Sequence, residues 1–113
     1  MTSIEGKRVY VAGHTGMVGR ALLRRLSVEN CEILTSSRNT VDLRNQNVVA
    51  TWLKHQKPHI ILLAAATVGG IHANRTFPGQ LLYDNLIIAA NIINSAKDCG
   101  VEKLLFLGSS CIY

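Results

Sequence analysis

Four short apolar segments alternate with helical segments along this chain of 113 residues. The apolar segments predict strands over residues 8–12, 32–36, 60–66 and 103–107. The segments between them predict helices over residues 17–30, 48–55 and 79–99, the last two of which end at Pro58 and Gly100. Alternating strands and helices with right-handed crossovers predict an α/β fold with a parallel sheet between helical layers. We expect a partial doubly wound sheet in three αβα layers, with the strand order 3-2-1-4.

A glycine-rich loop follows the first strand and leads into the first helix. It reads Gly13-His14-Thr15-Gly16-Met17-Val18-Gly19. Its glycines allow a tight turn, a close approach to a pyrophosphate and close packing of helix on strand, and the helix N-terminus offers free N–H groups to the anion. The loop therefore predicts an NAD(P)-binding Rossmann fold with all seven residues in the cofactor site. A purely structural turn is the alternative interpretation.

The end of the second strand indicates which dinucleotide is preferred. NAD-specific sites carry an acidic residue about 20 residues after the glycines, whereas this chain reads Ser36-Ser37-Arg38 there. A guanidinium beside two hydroxyls suits a 2′-phosphate, so NADP (NADPH) is favoured over NAD. A solvated loop arginine is the alternative for Arg38. Asp42 and Leu43 follow in the connection toward the adenine ring, where Asp42 either accepts from the exocyclic amine or holds a turn.

Composition limits the classes of protein to which the chain can belong. A hydrophobic fraction of 48% in 113 residues supports one domain with a single core. The apolar run at residues 60–66 is too short to span a bilayer, which takes roughly 20 residues, so no membrane partner is expected. Three cysteines at unrelated spacings disfavour a disulfide framework or a zinc site and fit a cytoplasmic location. We expect packing roles for Cys31, Cys99, Trp52 and Leu53, structural roles for His55, His59 and His72, and no metal.

The net charge of +5 arises in the first half of the chain. Residues 1–57 hold nine Lys and Arg against four Asp and Glu, whereas residues 58–113 hold three of each. This excess suits a phosphorylated ligand or nucleic acid, although nucleic acid is disfavoured because no aromatic residues are interleaved with the charges. Arg20, Arg24 and Arg25 have the spacing of a solvated helix face.

Hydroxyls and a thiol follow the fourth strand, in the sequence Gly108-Ser109-Ser110-Cys111-Ile112-Tyr113. Open α/β sheets place ligands and chemistry at the carboxyl ends of their strands. The segment is therefore a candidate active site, with Ser109 and Cys111 as its reactive side chains. Considered without further context, a single cysteine at the end of an apolar strand is more often a packing residue.

Three segments together resemble the extended short-chain dehydrogenase/reductase family, and within it the epimerase/reductases that act on GDP-sugars. They are the glycine loop, Leu63-Ala64-Ala65-Ala66 with Val68-Gly69-Gly70-Ile71, and residues 104–113. The resemblance implies that Ser109 hydrogen-bonds the sugar oxygen at the carbon being reduced and that Cys111 moves protons at the carbons being epimerised. It also implies a cofactor site containing Gly13, His14, Thr15, Gly16, Met17, Val18, Gly19, Arg38, Asp42, Leu43, Ala64, Ala65, Leu107, Gly108, Ser109 and Ser110.

The resemblance covers all of this chain but only about the first third of such an enzyme. It implies conversion of GDP-4-keto-6-deoxymannose to GDP-L-fucose by 3,5-epimerisation and NADPH-dependent reduction, in an enzyme that is a homodimer when full length. The family's Tyr-x-x-x-Lys pair is missing, because Tyr10 and Tyr83 are followed four residues later by His14 and Ile87. We therefore expect residues 1–113 to be the N-terminal part of a dinucleotide-binding domain, inactive alone, with the rest of that domain and the substrate domain absent. A non-catalytic dinucleotide-binding module or pseudoenzyme is the alternative.

Overall fold

The central sheet has four parallel strands in the order β2-β1-β3-β4. It is seen in a computed structural model that describes residues 4–13, 17–37, 39–64 and 78–106. The strands are β1 (Arg8–Ala12), β2 (Glu32–Leu34), β3 (Ile60–Leu63) and β4 (Lys103–Phe106), and the helices are α1 (Met17–Leu26), α2 (Gln46–Gln56) and α3 (Pro78–Asp98). Each of these elements falls within or close to a segment predicted from the sequence.

The α/β class and the parallel sheet are confirmed, but the predicted strand order 3-2-1-4 is wrong. β3 pairs directly with β1, with Val9 opposite Ile60 and Ala12 opposite Leu63, and β4 pairs with β3. The predicted order places residues 60–66 beside β2, whereas the strand in that segment, β3, lies on the other side of β1, and the connection after β2 forms turns. Val41 N–H donates to Ser37 O at 2.8 Å and Asn45 N–H to Asp42 O at 2.9 Å, which leads the chain directly into α2.

Burial explains why β3 takes a central position. All four of its residues are buried, which requires a neighbouring strand on each edge and a helix layer on each face. β2 has only three residues and begins at the exposed Glu32, which suits an edge. The structure therefore places the two most buried of the described strands, β1 and β3, side by side.

The two faces of the sheet form two separate cores, as alternation along the strands requires. On one face Tyr10, Ala12, Ile61 and Leu63 pack with buried residues of α2 and α3. On the other face Val9, Val11, Ile60 and Leu62 pack with Leu26, Leu22 and Leu23 of α1. One helix on one face and two on the other give the three-layer αβα arrangement.

Local signals fix both ends of α2. The Asn45 side chain accepts from Val48 N–H at 3.1 Å and caps the first turn. At the other end Lys57 takes the left-handed conformation and its N–H donates to Leu53 O. The Arg8 guanidinium donates to Lys57 O at 2.7 Å, and the buried Pro58 follows. The helix is three residues longer than predicted, while α1 ends at Leu26 rather than near residue 30.

α3 is the longest helix described and ends at Asp98, just before Gly100, as predicted. In the ranges covered by the structure, no helix combines the length and apolar character needed to cross a membrane.

Candidate dinucleotide-binding site

The carboxyl ends of β1 and β3 lie side by side and form the floor of the candidate site. Ala12 is opposite Leu63 in the sheet, and Ala64 N–H donates to Ala12 O at 2.8 Å. Ala64 is buried, and this hydrogen bond continues the pairing of β1 with β3 by one residue. Gly13 then turns the chain with a φ of +87°, a conformation that residues with a Cβ rarely adopt. Gly13 directly follows β1 and lies four residues before the start of α1.

The apolar side chains at the start of α1 are exposed to solvent. Met17 is 80% exposed and Val18 38% exposed, an unusual degree of exposure for apolar residues. Gly19, one residue later, is buried on the side that faces the sheet. The first N–H groups of a helix have no partner within the helix, so an open first turn suits an anion. The predictions for His14, Thr15 and Gly16 lie outside the described residues.

The two serines after β2 already have hydrogen-bond partners. Ser36 Oγ lies 2.6 Å from the Tyr10 hydroxyl. Ser37 Oγ lies 2.8 Å from Thr40 Oγ1 and accepts from Thr40 N–H at 3.1 Å, so Ser37 holds the turn that follows. Ser36 is half-buried and Ser37 exposed. Arg38 lies outside the described residues, so its contact with a 2′-phosphate stays a prediction.

Burial raises the pKa of the Tyr10 phenol, and the hydrogen bond to Ser36 acts in the opposite direction. Tyr10 is completely buried in the core shared with α2, where its ring lies 5.8 Å from that of Trp52. The phenol is therefore protonated and available as a hydrogen-bond donor over the whole physiological pH range. This buried hydroxyl is a feature that sequence reasoning missed, although a tyrosine inside an otherwise aliphatic strand is a usable signal.

Asp42 holds a turn, as one of its two interpretations predicts. Its Oδ1 accepts from Arg44 N–H at 3.0 Å and from Arg44 Nε at 3.1 Å, and its Oδ2 accepts from an Arg44 guanidinium nitrogen at 3.1 Å. Arg44 also lies 3.9 Å from the Asp84 carboxylate on α3. These hydrogen bonds and charges raise the pKa of Arg44. Contact of Asp42 with adenine remains a prediction, and it requires the base to share the carboxylate with Arg44.

Leu43, also predicted to bind cofactor, is fixed by α3. Its side chain packs against the core of that face, and its carbonyl accepts from Asn91 Nδ2 at 3.0 Å. Asn91 is buried, so the loop after β2 is anchored to α3 through a buried amide. Arg44 and Asn91 are positioning residues that the sequence alone did not reveal. Their contacts with Asp84 and Leu43 join residues that are 40 and 48 positions apart in the chain.

β4 points toward the same edge of the sheet. It runs parallel to β3, with Phe106 opposite Leu63, so its carboxyl end is next to that of β3. The predicted residues Ala65, Leu107, Gly108, Ser109, Ser110 and Cys111 lie outside the described residues. What the structure supplies is the direction of the strand that precedes them.

The remaining sequence predictions concern packing. Leu53 is fully buried, and Trp52, Cys31 and Cys99 are partly buried against the two cores, as expected. His59 Nδ1 accepts from Arg8 N–H at 2.9 Å, which confirms its structural role. His72 lies outside the described residues. Among the residues that the structure covers, no group of three or more His, Cys, Asp and Glu could hold a metal ion.

Several basic residues of the first half form structural contacts. Arg20, Arg24 and Arg25 are exposed on α1, as predicted for a solvated helix face, and Arg25 pairs with Glu29 at 2.6 Å. Arg8 caps α2, and Lys7 pairs with Glu102 at 2.8 Å. The Lys7 ammonium group lowers the pKa of Glu102. These contacts give part of the positive charge a structural role, so that part needs no bound ligand to explain it.

A parallel αβα sheet with a glycine turn and an open helix N-terminus at its carboxyl edge defines a Rossmann-type dinucleotide-binding fold. Residues 9–113 match the model of the NAD dependent epimerase/dehydratase family, and the chain belongs to that family. The confirmed expectation of an epimerase-type Rossmann domain thus rests on both the fold and the sequence.

Two relatives and one solved structure illustrate the similarity. The chain is 52% identical over 113 residues to GDP-L-fucose synthase of Sinorhizobium fredii, covering 100% of this chain and 36% of the relative. It is 45% identical over 112 residues to GDP-L-fucose synthase 1 of Arabidopsis thaliana, covering 98% and 35%. The structure of MlghC, a GDP-mannoheptose C4 reductase from Campylobacter jejuni with NADP bound, matches with a TM-score of 0.82 and 31% identity, covering 94% of this chain and 33% of that one. The chain thus spans about a third of the length of these proteins.

Proposed function

We propose that this chain forms the NADPH-binding part of a GDP-sugar epimerase/reductase that makes GDP-L-fucose. The observation that carries the proposal is the arrangement at the carboxyl edge of the sheet. There the Gly13 turn separates the buried end of β1 from an exposed first turn of α1. That arrangement suits a pyrophosphate. The similarity to GDP-L-fucose synthases and to an NADP-bound GDP-sugar reductase supports the choice of cofactor and substrate.

In this proposal residues 13–19 hold the pyrophosphate and the loop after β2 holds the adenosine. Ser36 and Arg38 receive the 2′-phosphate, and Asp42 and Leu43 lie toward the adenine, held by Arg44 and Asn91. Ala64 and Ala65 follow β3, and residues 107–110 follow β4, where they would contact the nicotinamide half. When bound, NADPH supplies the hydride that reduces the keto group of the sugar.

Two side chains after β4 are proposed to act on the sugar. A cysteine thiol ordinarily ionises with a pKa of about 8.5, near neutral pH, so this residue type suits the role proposed for Cys111, which is to move protons at the carbons being epimerised. The Ser109 hydroxyl hydrogen-bonds the oxygen at the carbon being reduced and orients the carbonyl. Both roles rest on the resemblance to the family.

A non-catalytic dinucleotide-binding module is the second candidate, because the 113 residues contain no Tyr-x-x-x-Lys pair to donate the proton during reduction. We expect no turnover of GDP-4-keto-6-deoxymannose by this chain alone. The coding sequence after codon 113 separates the two candidates. An open frame that contains Tyr-x-x-x-Lys supports the enzyme, whereas a stop codon supports the module.

The cofactor site is tested by one substitution with a matched control. Gly13→Ala places a Cβ at a φ of +87° in the proposed pyrophosphate turn, and Gly6→Ala does the same at +76° in the turn before β1. Gly6 has no atom within 4 Å of an added Cβ, so its cost is backbone strain of about 1 kcal/mol. We expect Gly13→Ala to weaken NADPH binding about tenfold or more, and Gly6→Ala to leave the affinity unchanged at a similar loss of stability.

Fluorescence titration with NADPH measures the affinity, and thermal unfolding measures the stability. Equal effects of the two substitutions on NADPH affinity, or no NADPH binding by the unsubstituted chain, would contradict the proposed site. Detectable turnover by the chain alone would instead contradict the expectation that catalysis needs residues beyond these 113.

A further inference from the structure

Tyr10 is a polar side chain in β1, a strand that is buried from Val9 to Ala12. It is 0% exposed, as are its neighbours Val9 and Val11. Burying a hydroxyl is unfavourable unless it forms a hydrogen bond, and a phenylalanine would fill the same space with no such requirement. The Tyr10 hydroxyl lies 2.6 Å from Ser36 Oγ, two residues beyond the end of β2. The hydroxyl thus connects the core with the loop that begins the proposed 2′-phosphate site.

Either oxygen of this pair can donate, and the choice decides what Ser36 offers to a ligand. If Ser36 donates to Tyr10, the serine has no proton left for an anion. If Tyr10 donates to Ser36, the serine proton is free to point outward. Ser36 is half-buried, so its hydroxyl is within reach of a bound molecule. An anion next to Ser36 selects the second arrangement, since a phosphate oxygen can only accept.

We propose that Tyr10 is a positioning residue for NADPH, which acts by donating to Ser36 so that Ser36 donates to the 2′-phosphate. The inference rests on the proposed function, because it assumes the dinucleotide lies at this edge of the sheet. Hydrogen bonds in such a chain strengthen each other when the final acceptor is charged. The burial of Tyr10 also keeps competing water away from the donor.

This series of hydrogen bonds from Tyr10 through Ser36 to the ligand, here called the relay, discriminates between NADPH and NADH. The 2′-hydroxyl of NADH can itself donate to Ser36, so it gains little from a serine that is already accepting from Tyr10. The 2′-phosphate of NADPH has no proton to give and needs the serine proton. Loss of the Tyr10 hydroxyl therefore weakens NADPH binding more than NADH binding.

The test uses the full chain and two single substitutions, Tyr10→Phe and Ser36→Ala, together with the double substitution. Dissociation constants for NADPH and for NADH are measured by fluorescence titration. A neutral hydrogen bond contributes about 0.5–1.5 kcal/mol, so Tyr10→Phe should reduce the preference for NADPH about three- to tenfold. In the Ser36→Ala background Tyr10→Phe should change the preference no further, because the residue through which Tyr10 acts is gone.

Trp52→Phe is the matched control. The Trp52 ring lies 5.8 Å from the Tyr10 ring between centroids, and its buried indole N–H forms no hydrogen bond with any described residue, the Tyr10–Ser36 hydroxyl pair included. The Trp52→Phe substitution should lower the thermal stability and leave the ratio of the two dissociation constants unchanged.

An unchanged ratio in Tyr10→Phe, with NADPH still bound by the parent chain, overturns the inference alone. Failure of the parent chain to bind NADPH overturns the proposed function and the inference with it. Should Tyr10→Phe fail to fold, Ser36→Ala still tests the relay, because an unchanged ratio there would equally overturn it.

Discussion

Lys57 adopts a left-handed backbone conformation, with φ 48° and ψ 58°, in order to end α2. In the described residues it is the one non-glycine with a positive φ. Its carbonyl accepts from the Arg8 guanidinium, so the strained position is held from outside the helix. A Cβ in this region costs roughly 1 kcal/mol, and glycine is the usual residue at such a helix end.

Lys57→Gly removes this strain of about 1 kcal/mol, and the greater freedom of glycine in the unfolded state offsets part of the gain. The net effect should be a stabilisation of less than about 1 kcal/mol. Urea unfolding measures the change as a higher midpoint with an unchanged slope. Lys57→Ala, which removes the charged side chain but keeps the Cβ, is the control and should leave the midpoint nearly unchanged. A gain in Lys57→Ala equal to that in Lys57→Gly would show that the charge, not the backbone, is responsible.

At the scale of single residues, the sequence predicted the role of a residue better than it predicted which other residues that residue contacts. The Gly13 turn and the buried Gly19 could be predicted, because glycine has few reasons to occur at that spacing between a strand and a helix. The pairing of Ser36 with Tyr10 could not be predicted, because the two residues are 26 positions apart and meet only when β1 and β2 align. Asp42 allowed two interpretations because a carboxylate at the start of a connection suits a turn and a ligand equally well.

Asn91 connects two elements that are far apart in the sequence. It lies on α3, and its buried amide donates to the Leu43 carbonyl in the loop before α2. Loss of the donor leaves a carbonyl in a largely apolar environment without this partner, which costs roughly 1–3 kcal/mol. This loop also carries Asp42, so the contact sets where the proposed adenine site lies relative to α3.

Asn91→Ala should lower the free energy of unfolding by about 1–3 kcal/mol and weaken NADPH binding by loosening the loop. Asn94→Ala, one turn later on the exposed side of α3, is the control and should change stability by less than about 0.5 kcal/mol. Denaturant unfolding and NADPH titration of the two variants provide the measurements. A stability loss in Asn91→Ala with unchanged NADPH affinity would mean that the loop position does not affect binding.

At the scale of elements, the type and approximate bounds of every described strand and helix could be predicted, but the order of the strands could not. The predicted order put the third strand next to β2, but β3 pairs with β1 instead, and the connection between β2 and α2 forms turns. The information was partly available, because a strand that is apolar at every position, such as β3, fits the middle of a sheet and not its edge. Pairing between strands depends on which connection forms a strand, and local propensity does not decide that.

At the scale of the whole molecule, α3 and the edge strand β4 both carry exposed apolar side chains. Tyr83, Leu86 and Ile93 on α3 are 60%, 61% and 49% exposed. Their spacing of three and seven residues places them on one stripe of the helix. β4 pairs only with β3 among the described residues, and Leu105 on it is 43% exposed. Such an edge is a template for pairing with another strand.

The expected consequence is self-association of the chain through the open edge of β4. Leu105→Lys places a charge on that edge and should reduce light scattering of concentrated solutions several-fold, because charged edges oppose strand pairing. The cost in stability should be about 1 kcal/mol or less, since the side chain is already half exposed. Val28→Lys adds the same charge at a residue that is 76% exposed in the turn after α1 and belongs to no described strand. An equal reduction in scattering by both variants would assign the effect to net charge, whereas a reduction confined to Leu105→Lys would assign it to the edge of β4.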